Sequence, residues 1–463
     1  MKSSGSWGKV VGAALLFAAL TACGGGGGGG GSSSGGGGGA GQEPVATPPV
    51  VVALTVSVSV NGMAVAADGH GQYAAKPGDT IEIVSSQSAA WTSASAPVGA
   101  VTLRNAAVAP AKWSAQVVNG TSAFATFTVS AKATADASLT KDTVFAVRPA
   151  DVRNAEYRVF ASNGSKQVLV LNFDTMTYEM TDDANVMVAD TFAPDAANPG
   201  AYLFNSARMT TPVNNARFRF TDNTVVGSFP FEKTSSVPTA YVVQPFVASN
   251  ALVTKQSDLD GIYNRLGINL SSSPDSNIRA SQITANGTRY LLCNEVAITS
   301  IANCPNSSLL TYAVTPEPAN YLWRITNMAN PADTGTFSIA RIGGQNVYLS
   351  AGLVQQPSGA FRVFRIGVEE SLTLPRATAR GGDNLGASGS FTLDATTYSK
   401  RDINPDGSPA NADYLVSSIG PLGIWAVNAT GANRYFAIHS GKLTAVVGAR
   451  GPIAGYLQLG LVD

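Results

Sequence analysis

Leu171-Asn-Phe-Asp-Thr-Met-Thr-Tyr178 returns later in the chain as Phe391-Thr-Leu-Asp-Ala-Thr-Thr-Tyr398, and a looser copy, Ile283-Thr-Ala-Asn-Gly-Thr-Arg-Tyr290, lies between them. The copies stand about 110 residues apart, a period that marks a repeated supersecondary unit. An aromatic strand follows each of them: Tyr202-Leu-Phe204, Tyr321-Leu-Trp323 and Gly423-Ile-Trp425. A second hairpin comes next. Phe218-Arg-Phe220 turns through Asp222-Asn223 into Val225-Val226-Gly227, Phe337-Ser-Ile339 through Gly343-Gly344 into Val347-Tyr348-Leu349, and Tyr435 to Ile438 through Ser440-Gly441 into Val446-Val447-Gly448. Three units follow, 155–255, 256–376 and 377–463.

Alternation at period two puts Phe218 and Phe220 on one face, and Val225 pairs back across the turn, so these read as half-buried antiparallel strands. No helical period is sustained here. The reading is an all-β chain in which each unit is a small meander, closed as a barrel or stacked as a sandwich. A β-propeller is the alternative, because the two hairpin types within a unit are themselves alike.

Upstream of the repeats, Val51 to Val60 alternates from Leu54 onward and exits through Asn61-Gly62, a hairpin-type turn. Pro77-Gly78-Asp79 precedes Ile81 and Ile83, and Asn119-Gly120 precedes Phe124, Phe127 and Val129. Short strands with turns at this spacing predict a β-sandwich over residues 50–150. Lys-Pro-Gly-Asp-Thr-Ile at 76–81, with Trp91 beyond, resembles bacterial immunoglobulin-like modules, although no internal cysteine pair accompanies it.

Further upstream, Lys2 and Lys9 precede an apolar run from Val10 to Leu20 and then Leu20-Thr21-Ala22-Cys23. The order is that of an export signal over residues 1–22. The run falls well short of the roughly 20 apolar residues of a spanning helix, which makes an uncleaved anchor the weaker alternative. Leu-Thr-Ala-Cys resembles a lipobox, the motif at which bacterial lipoproteins receive a diacylglycerol on the cysteine sulfur and are cleaved before it. The resemblance implies a lipid on Cys23 and, with Gly24 next in place of an acidic residue, an outer-membrane lipoprotein of a Gram-negative envelope, periplasmic or surface-facing. Residues 23–49 are glycine- and serine-rich and end in Pro44, Pro48 and Pro49, the composition of a tether.

Thirty basic against thirty acidic residues, with charged residues only 13% of the chain, leave no field to attract nucleic acid. Of three cysteines, Cys23 is assigned to lipid. Cys293 and Cys304 remain, in a compartment that oxidises thiols, and a disulfide between them is expected. Two buried free thiols are the alternative.

Chemistry is sparse. His70, in Asp-Gly-His-Gly, and His439, beside Ser440-Gly441, read as solvated turn residues. Gly-x-Ser-x-Gly is absent, and Gly386-Ala-Ser-Gly-Ser390 misses its spacing. Tyr202, Trp323 and Trp425 recur at equivalent places and read as core plugs rather than a platform for sugar rings. One segment carries a pattern: Asp402, Asn404, Asp406, Gly407, Ser408 and Asp413 stand at the spacing of an oxygen-ligand loop for a hard cation. It resembles the calcium loops of EF-hand and dockerin proteins, which would make Asp402, Asn404, Asp406, Ser408 and Asp413 calcium ligands. The flanks read as strand, the last acid is Asp rather than Glu, and Pro409 intrudes, so an acidic surface loop is the alternative.

No catalytic constellation emerges. The expectation is a lipid-anchored envelope protein with a non-enzymatic role, binding an unidentified protein or glycan or serving structurally. A carbohydrate-directed hydrolase, needing two facing carboxylates, and an accessory subunit of an envelope assembly or secretion complex are the alternatives.

Overall fold

A computed structural model of the protein describes residues 52–182, 185–232, 240–270, 274–295, 298–317, 321–356, 359–371, 376–419, 423–428, 434–449 and 453–462. The export signal, Cys23 and the tether lie outside the described residues.

The N-terminal part is two packed sheets. Five strands (Met63–Ala64, Val56–Val60, Thr80–Ser85, Lys112–Asn119 and Val101–Ala109, in spatial order) face four (Gln72–Ala75, Thr140–Val147, Ala125–Ala133 and Ala89–Ala96). Ile81, Ile83, Trp113 and Val117 of the first sheet meet Phe127, Val129 and Phe145 of the second. Burial alternates along Ala125–Ala133, as expected of a sheet with one face on the core. The turn between Val60 and Met63 is Asn61-Gly62, with φ of 52° and 78°. Both values are left-handed, which is why Asn-Gly suits it.

The repeated part is three closed barrels of eight antiparallel strands, each strand paired with the next along the chain and the eighth with the first. The first runs from Ala155–Ala161 to Tyr241–Ser249, the second from Gly261–Leu270 to Gly359–Glu369, and the third from Ala377–Asp383 to Leu457–Val462. They close through Val159 opposite Ala248, Arg265 opposite Gly367, and Gly381 opposite Gly460. The units are therefore barrels, not propeller blades. One detail of the repeat shifts: Leu171 faces Tyr178 and Ile283 faces Tyr290, but in the third copy Leu393, not Phe391, faces Tyr398, because that turn is two residues tighter.

The barrels pack against one another, each touching both of the others, around a shared apolar cluster. Phe160, Val226 and Val247 come from the first wall, Leu266, Leu349 and Ile366 from the second, and Ile438, Ala445 and Leu459 from the third. This corrects the half-buried reading of the second hairpins. Their return strands have one face in a lumen and the other against a neighbouring barrel, so Leu443–Gly448 is buried at all six positions and Thr224–Glu232 at all but the last. Where the first and third walls meet, Gly382 leaves room for Ser228; a Cβ on Gly382 would lie 2.3 Å from the Ser228 hydroxyl.

Cys293 and Cys304 form a disulfide that closes the loop after the strand Arg289–Cys293. Replacing both by serine is expected to lower stability by about 2–3 kcal/mol through loop entropy restored to the unfolded chain. Urea midpoints measure this, and coincident curves for the variant and the oxidised protein would show the bond to be idle.

Candidate functional site

Lumen-facing positions correspond across the barrels once the pairing registers are laid together. Val159 of the first barrel occupies the place of Arg265 in the second and Gly381 in the third. Two pairs further along, Ala161 and Phe246 correspond to Gly267 and Arg365, and to Asp383 and Gln458. The frame is thus common, while its filling differs.

The first lumen is an aromatic plug. Phe173, Tyr178, Phe192, Phe204, Phe218, Phe229 and Phe246 pack edge to face or tilted, with centroid separations such as 4.9 Å for Tyr178 and Phe204 and 5.0 Å for Phe173 and Phe192. Tyr202 belongs to this plug, stacking on Phe218.

The second lumen is apolar at one end only. Tyr263, Ile283, Tyr290, Trp323 and Phe337 form a floor, with the Trp323 indole donating to the Val253 carbonyl of the connecting segment at 3.3 Å. Above the floor lies a cavity of about 320 Å³. Its wall carries Arg265, Arg279 and Arg365, and its rim Asn294, Asn327 and Asp333, at the same end as the Cys293–Cys304 loop. Arg265 is 6% exposed and Arg365 8%. Among the described residues, none of the three arginines pairs with a carboxylate.

Instead, Arg265 lies 5.4 Å from the Tyr348 ring centroid and 5.7 Å from that of Tyr290, while Arg365 donates to the carbonyls of Ile268 and Phe364 and to the Asn269 side chain. Arg279 donates to the Ile278 carbonyl. The Nε atoms of Arg265 and Arg279 are buried without a protein partner. Burial, and then the nearby Arg265, push the guanidinium pKa of Arg279 and of Arg365 down. A guanidinium starts so high that both stay charged at neutral pH. The one acid on the rim, Asp333, is already engaged, accepting from the Tyr312 hydroxyl at 2.8 Å and from Asn327 at 2.9 Å.

The third lumen holds a self-paired cluster. The Lys400 ammonium lies 3.0 Å from Asp383 and 3.1 Å from Asp402, and donates to the Tyr456 hydroxyl at 2.8 Å. Asp402 is fully buried and also accepts from Gln458 at 2.8 Å. Burial raises its carboxyl pKa to about 6 even though Lys400 works the other way. A cavity of about 200 Å³ lies over the cluster, lined by Tyr398, Lys400, Tyr414, Tyr435 and Tyr456.

Asp402 therefore belongs to the lumen, and the structure does not gather the calcium-loop residues. Asp413 pairs with Arg401 at 2.8 Å on the exposed face. Asn404 donates to the Ser408 hydroxyl at 3.0 Å, and Asp406 accepts from the Ser408 amide at 2.9 Å, which makes 404–408 a self-contained turn.

His439 corrects the sequence reading: it is 8% exposed, with Nδ1 2.9 Å from the Thr444 hydroxyl, and burial pushes its pKa down to about 4. Alternation could have revealed it, since Tyr435, Ala437 and His439 share one face. His70 is exposed, in a turn capped by Asp68. Trp323 lies in the aromatic core of the second barrel, and Trp425, half-buried, packs against the core of the third.

No known family model matches the chain, and no curated protein matches it. A solved structure from Bacteroides caccae, a DUF4784 family protein, aligns over 84% of this chain and 92% of that one at 11% identity, with a TM-score of 0.14.

Proposed function

We propose that this protein is an exported, lipid-anchored binding protein of the bacterial envelope, held by Cys23 and presenting its barrels beyond a glycine-rich tether, without catalysis. One observation carries the binding part of this reading. The first barrel closes around an apolar plug, so the fold does not require charge in a lumen, yet the second and third lumens bury Arg265, Arg365, Asp383 and Asp402, the last two around the largely covered Lys400. Buried charge costs stability unless it is paired and is retained where it has a task. In this reading the N-terminal sandwich is an immunoglobulin-like spacer between tether and barrels.

Growing cells with a fatty-acid probe tests the anchor. Label is expected on the intact protein and not on Cys23→Ser, which has no thiol for the thioether; equal label on both would remove the lipid from the proposal.

A second reading, a carbohydrate-directed hydrolase, draws on the two carboxylates Asp383 and Asp402 beneath a tyrosine-lined cavity. Both are ion-paired to Lys400 through one oxygen each, which favours a structural cluster, although Oδ1 of Asp402 has no protein partner among the described residues. Release of sugar from glycosides by the protein, lost in Asp402→Asn, would favour this reading.

A further inference from the structure

We propose that the cup of the second barrel binds a small ligand through a carboxylate, sulfate or phosphate group, which the guanidinium groups of Arg265, Arg279 and Arg365 receive. This rests on the lumenal-binding reading above and names the chemistry of one lumen. Three cations share a cavity whose single rim carboxylate is occupied by Tyr312 and Asn327. Two of them are more than nine-tenths buried, and two have an Nε–H with no protein acceptor. Guanidinium is the side chain whose planar donors match the paired oxygens of such anions, and a charge-assisted hydrogen bond gains strength where water is excluded.

The same three groups repel one another when the cup holds no anion, so an entering anion gains twice, by its own contacts and by relieving that repulsion. Asp275 and Glu295 contribute opposing charge from beyond the cavity lining, and Glu295 is bound to Ser308. Entry is from the disulfide end, where Asn294, Asn327 and Asn330 line the opening. The floor of Tyr290 and Trp323 closes the other end, so a ligand presents its anionic group inward and leaves the remainder at the rim.

An anion of this kind can be a free small molecule or the charged end of an acidic glycan, and titration calorimetry on the full protein separates the two. The probes are sulfate, glucuronate and a glucuronate oligomer, with glucose as the neutral control and sodium chloride holding ionic strength constant. Sulfate and glucuronate are expected to bind one per chain, and glucose not at all. Tighter binding of the oligomer than of the monomer would assign the glycan end, and equal binding the free anion.

Arg265→Met and Arg365→Met are each expected to weaken binding about 10- to 100-fold, the share of one charge-assisted hydrogen bond. Lys112→Met, which removes an exposed lysine paired with Glu82 in the N-terminal sandwich, should leave the affinity unchanged. No binding by any anion, or binding indifferent to both arginine substitutions, overturns the proposal. Neutral-ligand binding that persists in the arginine variants would overturn it while leaving the broader reading standing.

Discussion

Lys400→Met is expected to destabilise the protein by about 3–5 kcal/mol at pH 8, the largest effect of any single substitution considered for this chain. Lys400 is the cation between Asp383 and Asp402, at 3.0 and 3.1 Å, in a lumen where Asp402 is fully buried. Methionine fills a similar volume but leaves two carboxylates facing each other without a counter-charge. The loss should depend on pH, and the sign follows from the direction of the shift.

Asp402 titrates near 6 in the fold, above its ordinary value of 3.8. Such a group favours the fold when protonated, and that favour fades as pH rises from about 4 to about 6. Removing Lys400 takes away the influence that lowers this pKa, so the window moves upward. The gap between variant and parent should then be wide at pH 8 and narrow towards pH 5. Adding Asp402→Asn to the variant should restore most of the loss at pH 8. Urea midpoints across pH measure all three proteins. A deficit independent of pH, or no rescue by asparagine, would mean that Lys400 contributes packing rather than charge.

The double variant Arg265→Met, Arg365→Met is expected to behave oppositely, folding with unchanged or higher stability, up to about 1–4 kcal/mol in anion-free buffer. No acid among the described residues pairs with either arginine, so no carboxylate is left unpaired when they go, and methionine adapts to the irregular space above the aromatic floor. The first barrel already closes with Val159 and Phe246 at these places. The counter-effect is the loss of the Arg365 bonds to the Ile268 and Phe364 carbonyls. A double variant that melts well below the parent would make the arginines structural, and their burial would need no ligand to explain it.

The threefold repeat was legible because a hairpin motif and its aromatic partner strand recur locally, within stretches short enough to compare by eye. Closure was not, since it depends on a strand near Tyr157 finding one near Phe246, and nothing in either stretch announces its partner. Alternation failed for a physical reason. Leu443–Gly448 and Thr224–Glu232 serve a lumen on one face and a neighbouring barrel on the other, so both faces are apolar and the period disappears.

The charged lumens were hidden for a related reason. Arg265 sits between Asn264 and Leu266, all three buried, and only the pairing of Arg265 with Gly367 reveals that it corresponds to Val159. The calcium pattern shows how a string of residues and its placement differ. Its spacing was sound as a string, but Asp402 lies on a strand whose alternation aims it inward, while Asp413 lies on the next strand with its carboxylate outward.

Three barrels around one apolar centre are what three identical subunits would build, yet here a single chain supplies them all. In a true homotrimer any substitution in a lumen appears three times, so an arginine cup would come in triplicate with three equivalents of ligand. Three units in one chain are free of that constraint: one barrel can be a plain structural wedge while the others are filled differently. The expected stoichiometry of the second cup is accordingly one anion per polypeptide, because neither of the other two lumens repeats its arginines.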